Sequence, residues 1–426
     1  MTNYCCNGVV CSRIISMIRT EQIWMKANRI ISKLCHLSKN LFNQANYIIK
    51  NAEKGKWIRY GDLNKILKEE SENYQSLPTQ TSQQILKLLD KSWTSFFRAI
   101  RAWKKHPDKF LKKPNPPHYK KKNGEHILIF TNQQCHIKDG ILKFPKKGGI
   151  KVKTRLPDNT NLREVRIIPK GVGYVAEIVY EKEVDIEEKD QSRIVGIDFG
   201  SKNIIAMVNN IGLKPIVIKD DGSGIKSINQ FYNKRKAELQ NIYATQGIKY
   251  GDKMRRLQVK RDKKANDWIH KLTKWMVDWC VKHNIGTIVI GKNQYWKQKI
   301  KLGRKNNQNF VLIPFDTIIQ KLSYKVEEVG ITLKEQEESH TSVCSFLDNE
   351  PIKHHNKYLG KRIKRGLFRT AKGLLINADV NASYNIIAKS EPKAFLQREV
   401  DGVGGCALHP LRVTNKEINK SNSTFY

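Results

Sequence analysis

Two aspartates stand where a chain could do metal-assisted chemistry on phosphate. Asp198 ends the apolar run of "RIVGIDFGSKN", and Gly200 follows it in what reads as a sharp turn into a second strand. A carboxylate held at a strand tip suits a Mg²⁺ ligand or a nucleotide-phosphate loop. A merely solvated turn aspartate is the plainer reading, but the strand before it is apolar and holds Asp198 at the sheet's end. Asp379 in "INADVNASYNI" precedes Val380, Ala382 and Ile386 at helical spacing, with Asn381 and Asn385 on another face. It falls at the start of a helix, where the positive end favours a carboxylate. Alone it would read as a capping residue.

The charge of the chain gives the pair its context. Among 426 residues, 78 are Lys or Arg and 40 are Asp or Glu, a net charge of +38. Such a surplus repels itself unless a polyanion neutralises it, and counterion release makes nucleic acid the fitting partner. No apolar run of ~18 residues appears, so a membrane partner is set aside. Cysteines at 5, 6, 11, 35, 135, 280, 344 and 406 include no CxxC pair and no secreted disulfide spacing, which predicts reduced thiols in an intracellular protein. The opening residues lack the apolar core and cleavage site of a signal peptide. Residues 1–16 are expected to be a disordered leader.

The elements that must position the aspartates follow from periodicity. Residues 17–26 predict a strand, and Ile30, Leu34, Leu37, Leu41, Ala45 and Ile48 predict a helix over 29–50. A second helix is expected from Gly61 to Tyr74 with Asp62 as its cap. A third carries Gln84, Leu88, Trp93, Phe96 and Phe97. A Pro- and Lys-rich stretch, 104–122, then leads to short alternating strands ("HILIF", "ILKFP", "IKVKT", "REVRIIP", "GYVAEIVYE") that predict a small β-barrel ended by an acidic linker, "EKEVDIEEKDQS". From Arg193 the pattern is α/β: strands "RIVGIDFG", "IIAMVNN" and "KPIVIKD", then a long helical region over 227–283. Its stripe of Trp268, Leu272, Trp275, Met276 and Trp279 is read as core packing on a sheet. "TIVIG" is a further strand, 313–330 a helix, and "ITLKEQEES" a last strand before the basic stretch "HNKYLGKRIKRGLFRTAKGLL".

Here the motifs become specific. "GIDFGSKN", the "IVI" strand, "HTSVCSFLD" and "ADVNASYNI", in that order, resemble the RuvC-like nuclease domain of TnpB proteins. These are transposon-encoded RNA-guided nucleases, with eukaryotic relatives called Fanzor and CRISPR relatives in the type V effectors. "CHLSKNLFNQANYIIK", "YQSLPTQTSQQILKLLDKSWTSFF" and "RDKKANDWIHKLTKWMVDW" are similar to the same family, so the resemblance runs from about Met17 to Leu411. "IGKNQYWKQ", "NNQNFVLIPF", "EESHTS" and "KRIKRGLF" resemble the branch nearest Fanzor.

The resemblance implies an α/β RNase H-like (RuvC) nuclease domain, with an N-terminal β-barrel (wedge) carrying a helical recognition insertion. The expected boundaries are 17–28 with 106–190 for the barrel and 29–105 for the helical module. The nuclease domain takes 191–339 with 373–395, around a basic target-nucleic-acid-binding insertion at 340–372, and 396–426 form a C-terminal tail. The family also implies a carboxylate triad that holds two Mg²⁺ ions ~3.5–4 Å apart. Its glutamate stands where this chain has Gly291. Successive strand residues face opposite sides, so only one of Glu337 and Glu338 is expected to replace it, and the Fanzor-like relocation favours Glu338 with Glu337 as the alternative. Asp198, Glu338 and Asp379 are thus the expected metal ligands and catalytic residues. Standard members carry a four-cysteine zinc ribbon after "TS". Only Cys344 remains here, with His354 and His355 nearby in sequence, and no zinc is expected because such a site needs four well-placed ligands.

Basic segments interleaved with aromatics have the composition of nucleic-acid surfaces. The expected contacts are Lys112, Lys113, Lys120 and Lys121 in the Pro-Lys stretch. After Gly291 they are Lys292, Trp296, Lys297, Lys299, Lys301 and Arg304, and in the insertion Lys361, Arg362, Lys364, Arg365 and Arg369. Gln83 and Gln84 match a position the family uses near its target-adjacent DNA motif; Gln reads adenine edges, or the pair caps the helix. The function these features predict is RNA-guided DNA cleavage by a transposable-element endonuclease. Its partners would be an omega-type guide RNA and duplex DNA with a short flanking motif, one protein per RNA. It would act in the cytoplasm at the nucleoid of a prokaryote, or in the nucleus of a eukaryotic or viral host. A guided DNA-binding repressor with a lapsed nuclease is the alternative. An actin-like kinase, which also opens on a strand and an Asp-x-Gly turn, lacks a second phosphate loop.

Overall fold

The computed structural model describes residues 12–53, 57–145, 150–200, 203–292, 312–364, 366–395 and 407–423. The chain divides into two compact units, Ser16–Val184 and one that takes in the chain from Asp185 onward.

β1 (Ser12–Lys26), most of which lies in the first unit, already includes the last residues of the expected leader. α1 (Arg29–Lys50) starts where the Asn28 side chain accepts from the Ile30 and Ile31 amides at 2.8 and 3.2 Å. Its buried stripe is Ile31, Leu34, Leu41, Ala45 and Ile49, so Ile30 is left exposed. The single helix expected over 61–74 is two. α2 (Tyr60–Glu70) has Asp62 in its first turn, not at its cap, and the chain breaks at Ser71, whose hydroxyl caps α3 (Glu72–Ser76). The long α4 (Thr79–Lys105) completes the helices. β2 (Leu128–Thr131), β6 (Asn161–Lys170) and β7 (Gly173–Glu187) join β1 in a sheet of order β1-β7-β6-β2. β3 (His136–Lys138), β4 (Ile141–Lys143) and β5 (Lys151–Lys153) form a second, antiparallel sheet. Strand residues Phe130, Ile137, Leu142 and Val165 share one core with Leu86 and Leu89 of α4.

The acidic "linker" is a correction. β7 runs through it to Glu187, with half-buried Val184 and Ile186 alternating with exposed acids, and β8 (Asp190–Phe199) begins three residues later. Charge on alternate residues is compatible with a half-exposed strand.

In the second unit, β9 (Asn203–Asn209) and β10 (Ile216–Lys219) follow β8 as antiparallel neighbours, while β11 (Ile285–Gly291) and β12 (Thr332–Gln336) pair in parallel on its other side. The order β12-β11-β8-β9-β10 is therefore 5-4-1-2-3, with the second strand antiparallel to the other four. Between β10 and β11 the long helical region splits into α5 (Ile225–Thr245) and α6 (Asp252–Lys282), where Gly247 takes a φ of +65° that suits glycine. α6 and α7 (Phe315–Glu327) cover one face through Trp268, Leu272, Met276 and Ile318, against Val195 and Ile197 of β8. α8 (Ala378–Ser390) covers the other, its Tyr384, Ile386 and Ile387 packing with Ile194 and Val289. Gly196 permits this approach, since a Cβ there would meet Ile387 Cγ1 and the Ser383 carbonyl at 2.6 Å.

The basic insertion forms β13 (Lys361–Lys364), β14 (Leu367–Arg369) and β15 (Leu375–Asn377), an antiparallel sheet. The C-terminal segment is no separate tail: β16 (Leu411–Val413) pairs in parallel with β10, and α9 (Asn415–Ser423) buries Ile418 in the core of the second unit. Among the described residues no helix is long and apolar enough to cross a membrane.

Candidate active site

Strand alternation aims Asp198. Along β8, Val195, Ile197 and Phe199 face α6 and α7, so Ile194, Gly196 and Asp198 face α8. Gly200 then lets the chain turn, because a Cβ there would meet the Asn203 carbonyl at 2.6 Å. On β11, Val289 faces α8 as well, and Ile290 pairs with Ile197, which sets Gly291 beside Asp198 with its missing side chain on the same face.

Asp379 reaches this end of the sheet from α8. It is not the helix cap: Asn377 caps, its side chain accepting from the Asp379 and Val380 amides at 2.9 and 3.3 Å. The Asp379 carboxylate accepts from Asn203 Nδ2 at 2.9 Å through Oδ2, and Oδ1 lies 3.7 Å from the Arg362 guanidinium. Asn203 is buried at the start of β9, just past the turn at Gly200.

The third carboxylate arrives by an unexpected path. β12 does not lie beside β8, because β11 stands between them. It also ends at Gln336, so Glu337 and Glu338 lie beyond the strand, where alternation no longer decides their directions. Glu337 turns outward and accepts from Lys389 Nζ at 2.7 Å and from the Ser339 amide and hydroxyl at 2.7 and 2.6 Å. Glu338 turns back over Gly291. A Cβ on Gly291 would collide with Glu338 Oε1 and would stand 2.5 Å from Ile386 Cδ1. The glutamate occupies the space that a side chain at 291 would need.

The electrostatics separate the two neighbours. Hydrogen bonds from Lys389 and Ser339 pull Glu337 down to about 2. Burial, helped by the negative charge of Glu337, raises Glu338 to about 7. Asp198 is raised well above the ordinary aspartate value by burial first, then by Glu338 and Asp379, with Arg362 opposing. Asp198 thus carries the repulsion of two further carboxylates at this end of the sheet. Among the described residues no three His, Cys, Asp or Glu side chains lie together so that they could hold a metal ion.

α8 also holds the Glu338 loop. Lys389 Nζ donates to the Ser339 carbonyl and hydroxyl at 3.0 Å, and Asn385 Nδ2 donates to the Thr341 and Cys344 carbonyls at 2.8 Å. Asn381 donates to the Cys344 carbonyl at 2.8 Å and accepts from the Phe346 amide at 3.0 Å. Sequence reasoning left both asparagines merely on "another face". Their amides satisfy backbone groups of a segment about forty residues earlier, which nothing local announces. Where a zinc ribbon would be, buried Glu350 accepts from the Ser345 and Leu359 amides at 2.7 and 2.8 Å. The Cys344 thiol faces the Pro351 and Lys353 carbonyls, and His355 Nε2 lies 2.7 Å from the Pro351 carbonyl. His354 stacks edge-on to His340 at 6.1 Å.

The expected nucleic-acid contacts are scattered. Lys112, Lys113, Lys120 and Lys121 are exposed, with Lys120 over the Phe42 ring and Lys113 over Trp103. Gln83 and Gln84 are half-buried inside α4, past its first turn, so they do not cap it. Lys292 pairs with Glu335 at 2.8 Å. Lys361, Lys364 and Arg369 are exposed on the insertion sheet, while Arg362 faces Asp379. Trp296, Lys297, Lys299, Lys301, Arg304 and Arg365 lie outside the described residues.

The strand order, with Asp198 at the tip of the central strand, is that of an RNase H-like α/β domain. Within that class, residues 177–297 match the family model OrfB_IS605, described as a probable transposase, and residues 315–386 match the Cas12f1-like TNB domain. Two consecutive segments of the second unit are thus similar to these two families. No curated protein matches. Similar solved structures include a Cas12f1–sgRNA–target DNA complex, 15% identical with a TM-score of 0.45, covering 89% of this chain and 99% of that one. The mini-RNA-guided endonuclease CRISPR-Cas_phi3 is 10% identical with a TM-score of 0.43, covering 90% and 93%.

Proposed function

We propose that the protein is an RNA-guided, Mg²⁺-dependent DNA endonuclease that cuts phosphodiesters at the Asp198–Glu338–Asp379 end of its RNase H-like sheet. The observation that carries this is Glu338 in the space over Gly291. A lapsed site has no reason to return a carboxylate to the position beside Asp198 from a different loop.

In this reading Asp198, Glu338 and Asp379 are the groups that would hold two Mg²⁺ ions. Those ions, when bound, activate water and stabilise the leaving oxygen. Asn203 fixes Oδ2 of Asp379 by its hydrogen bond and so sets the direction of the other oxygen. Lys389 and Asn385 anchor the loop and hold the Glu338 backbone at the strand tip. Within the first unit, the β-sheets would act as the wedge and α1–α4 as the recognition insertion. The exposed lysines of 112–121 and of the insertion sheet would contact guide RNA and target strand, while base pairing selects the sequence. The net charge of +38 supports such partners.

The test is purification with co-expressed RNA, followed by cleavage of a plasmid library with a randomised flank in the presence of Mg²⁺. Cleavage lost in Asp198→Ala and in Glu338→Ala is the expected result. RNA that co-purifies and directs DNA binding with no cutting would overturn the endonuclease in favour of the guided repressor.

A further inference from the structure

Away from the carboxylates, α5, α6 and α9 enclose a cavity of about 360 Å³. That volume lies within the roughly 300–1,000 Å³ of small-ligand sites. One wall is aromatic and apolar: Phe231 and Tyr232 from α5, and Leu257 and Trp268 from α6. Trp268 is fixed at depth, its indole nitrogen donating to Asn415 at 2.8 Å. Phe231 is different, with 55% of its surface in water although it lines a cavity. Among the described residues no aromatic ring or cation stacks on it.

The rim supplies charge. Lys260 and Lys264 lie four residues apart on α6, on one face of the helix, and both are exposed. Neither makes an ion pair among the described residues. The other basic lining groups are spent within the fold. Lys271 pairs with Asp267 at 2.9 Å, and Arg261 donates to Asn229 and to the Leu312 carbonyl at about 3.0 Å. The cavity therefore offers π-faces below and two uncommitted ammonium groups above. That combination suits a group that is flat and aromatic at one end and anionic at the other.

We infer that this cavity binds an unpaired nucleotide of a single-stranded nucleic acid, its base against Phe231 and Tyr232 and its phosphate on Lys260 and Lys264. Stacking with flanking cations is how single strands are held without sequence readout. The inference stands without the nuclease reading, because it uses no carboxylate and no metal.

The experiment is photocrosslinking of the full-length protein, in EDTA, to oligonucleotides carrying one 4-thiouridine or 4-thiothymidine, with the site mapped by mass spectrometry. Adducts on Phe231 or Tyr232 are expected. Phe231→Ala, an exposed position, should weaken the adduct on Tyr232 by about tenfold, the scale of one lost base stack. Lys260→Ala with Lys264→Ala should weaken it and reduce its salt dependence, whereas the exposed control pair Lys249→Ala with Lys253→Ala should leave it unchanged. Equal loss in the control pair would reduce the effect to general charge and overturn the site. So would thio-UMP labelling the same residues in competition with, and in preference to, the oligonucleotides, which would make the cavity a mononucleotide site. Ribo- and deoxy-oligomers compared side by side tell which strand occupies it.

Discussion

At the rim of the carboxylate site Glu337 is exposed, bonded to Lys389 and held near a pKa of about 2, while in the interior Glu338 lies over Gly291 and is raised to about 7. The two residues are adjacent in the chain, so neither composition nor local propensity separates them. What separates them is the partner each meets: an ammonium from the last turn of α8, or a strand tip with no side chain. A carboxylate whose charge is already balanced contributes to placement. One whose charge is opposed by burial and by a neighbouring acid keeps its proton to a higher pH.

The most direct way to break that contrast is to remove each carboxylate in turn. Cleavage should fall on the order of 10³-fold or more in Asp198→Ala and Glu338→Ala, as when one member of a catalytic unit is lost. Calorimetric titration with Mg²⁺ should lose its heat in the same variants. Equal cutting by Glu338→Ala and the parent protein would end the relocation idea. A second experiment reverses the relocation. Gly291→Ala places a Cβ against Glu338 Oε1 and should displace the glutamate, lowering activity by about 10–100-fold, the range for disturbed ligand support. Gly291→Glu with Glu338→Ala returns the carboxylate to the strand and should recover part of the activity that Glu338→Ala loses. No recovery would mean that the loop, not the presence of a third carboxylate, limits the reaction.

Much of this was legible beforehand, and the failures have physical reasons. Alternation along "RIVGID" places Asp198 on one face of a strand, and the apolar spacing after Asp379 places it in a first helical turn; both are local patterns. The end of β12 at Gln336 is not local, and without it the two-sided rule wrongly gives Glu337 the direction of Glu335. Why Gly291 is glycine is a tertiary fact, visible only once Glu338 is seen in its place. β16 has three residues and is stabilised by pairing with β10, so its own sequence gives almost no strand signal and the segment reads as tail. Asn203 escaped for the same reason: an asparagine after a glycine turn looks like turn chemistry until Asp379 is found 2.9 Å away.

The contrast sharpens with pH in metal-free protein. Between about 4.5 and 7 the folded chain keeps a proton on Glu338 that the unfolded chain has released, so this group makes the fold less stable as pH rises through that window. Glu337 has the opposite sign. Its folded value is depressed, and its contribution is complete above about 4.5 and lost as pH falls toward about 2. Chemical denaturation in EDTA should show Glu338→Gln flattening the first slope, with Mg²⁺ restoring stability most near neutrality. Carboxyl NMR titration of the two glutamates reads the midpoints directly, and coincident midpoints would remove the distinction.

The smallest effect belongs to the rim. Glu337→Gln keeps a hydrogen-bonding side chain and removes one exposed ion pair, worth up to ~1 kcal/mol, so cleavage should change by no more than about fivefold. Lys389→Met should do more, because that ammonium also holds the Ser339 carbonyl and hydroxyl and thereby the backbone that carries Glu338. If Glu337 only places the loop, its substitution should add nothing once Lys389 is gone, since both act through one contact. A double variant clearly worse than Lys389→Met would instead give Glu337 a part of its own in the site.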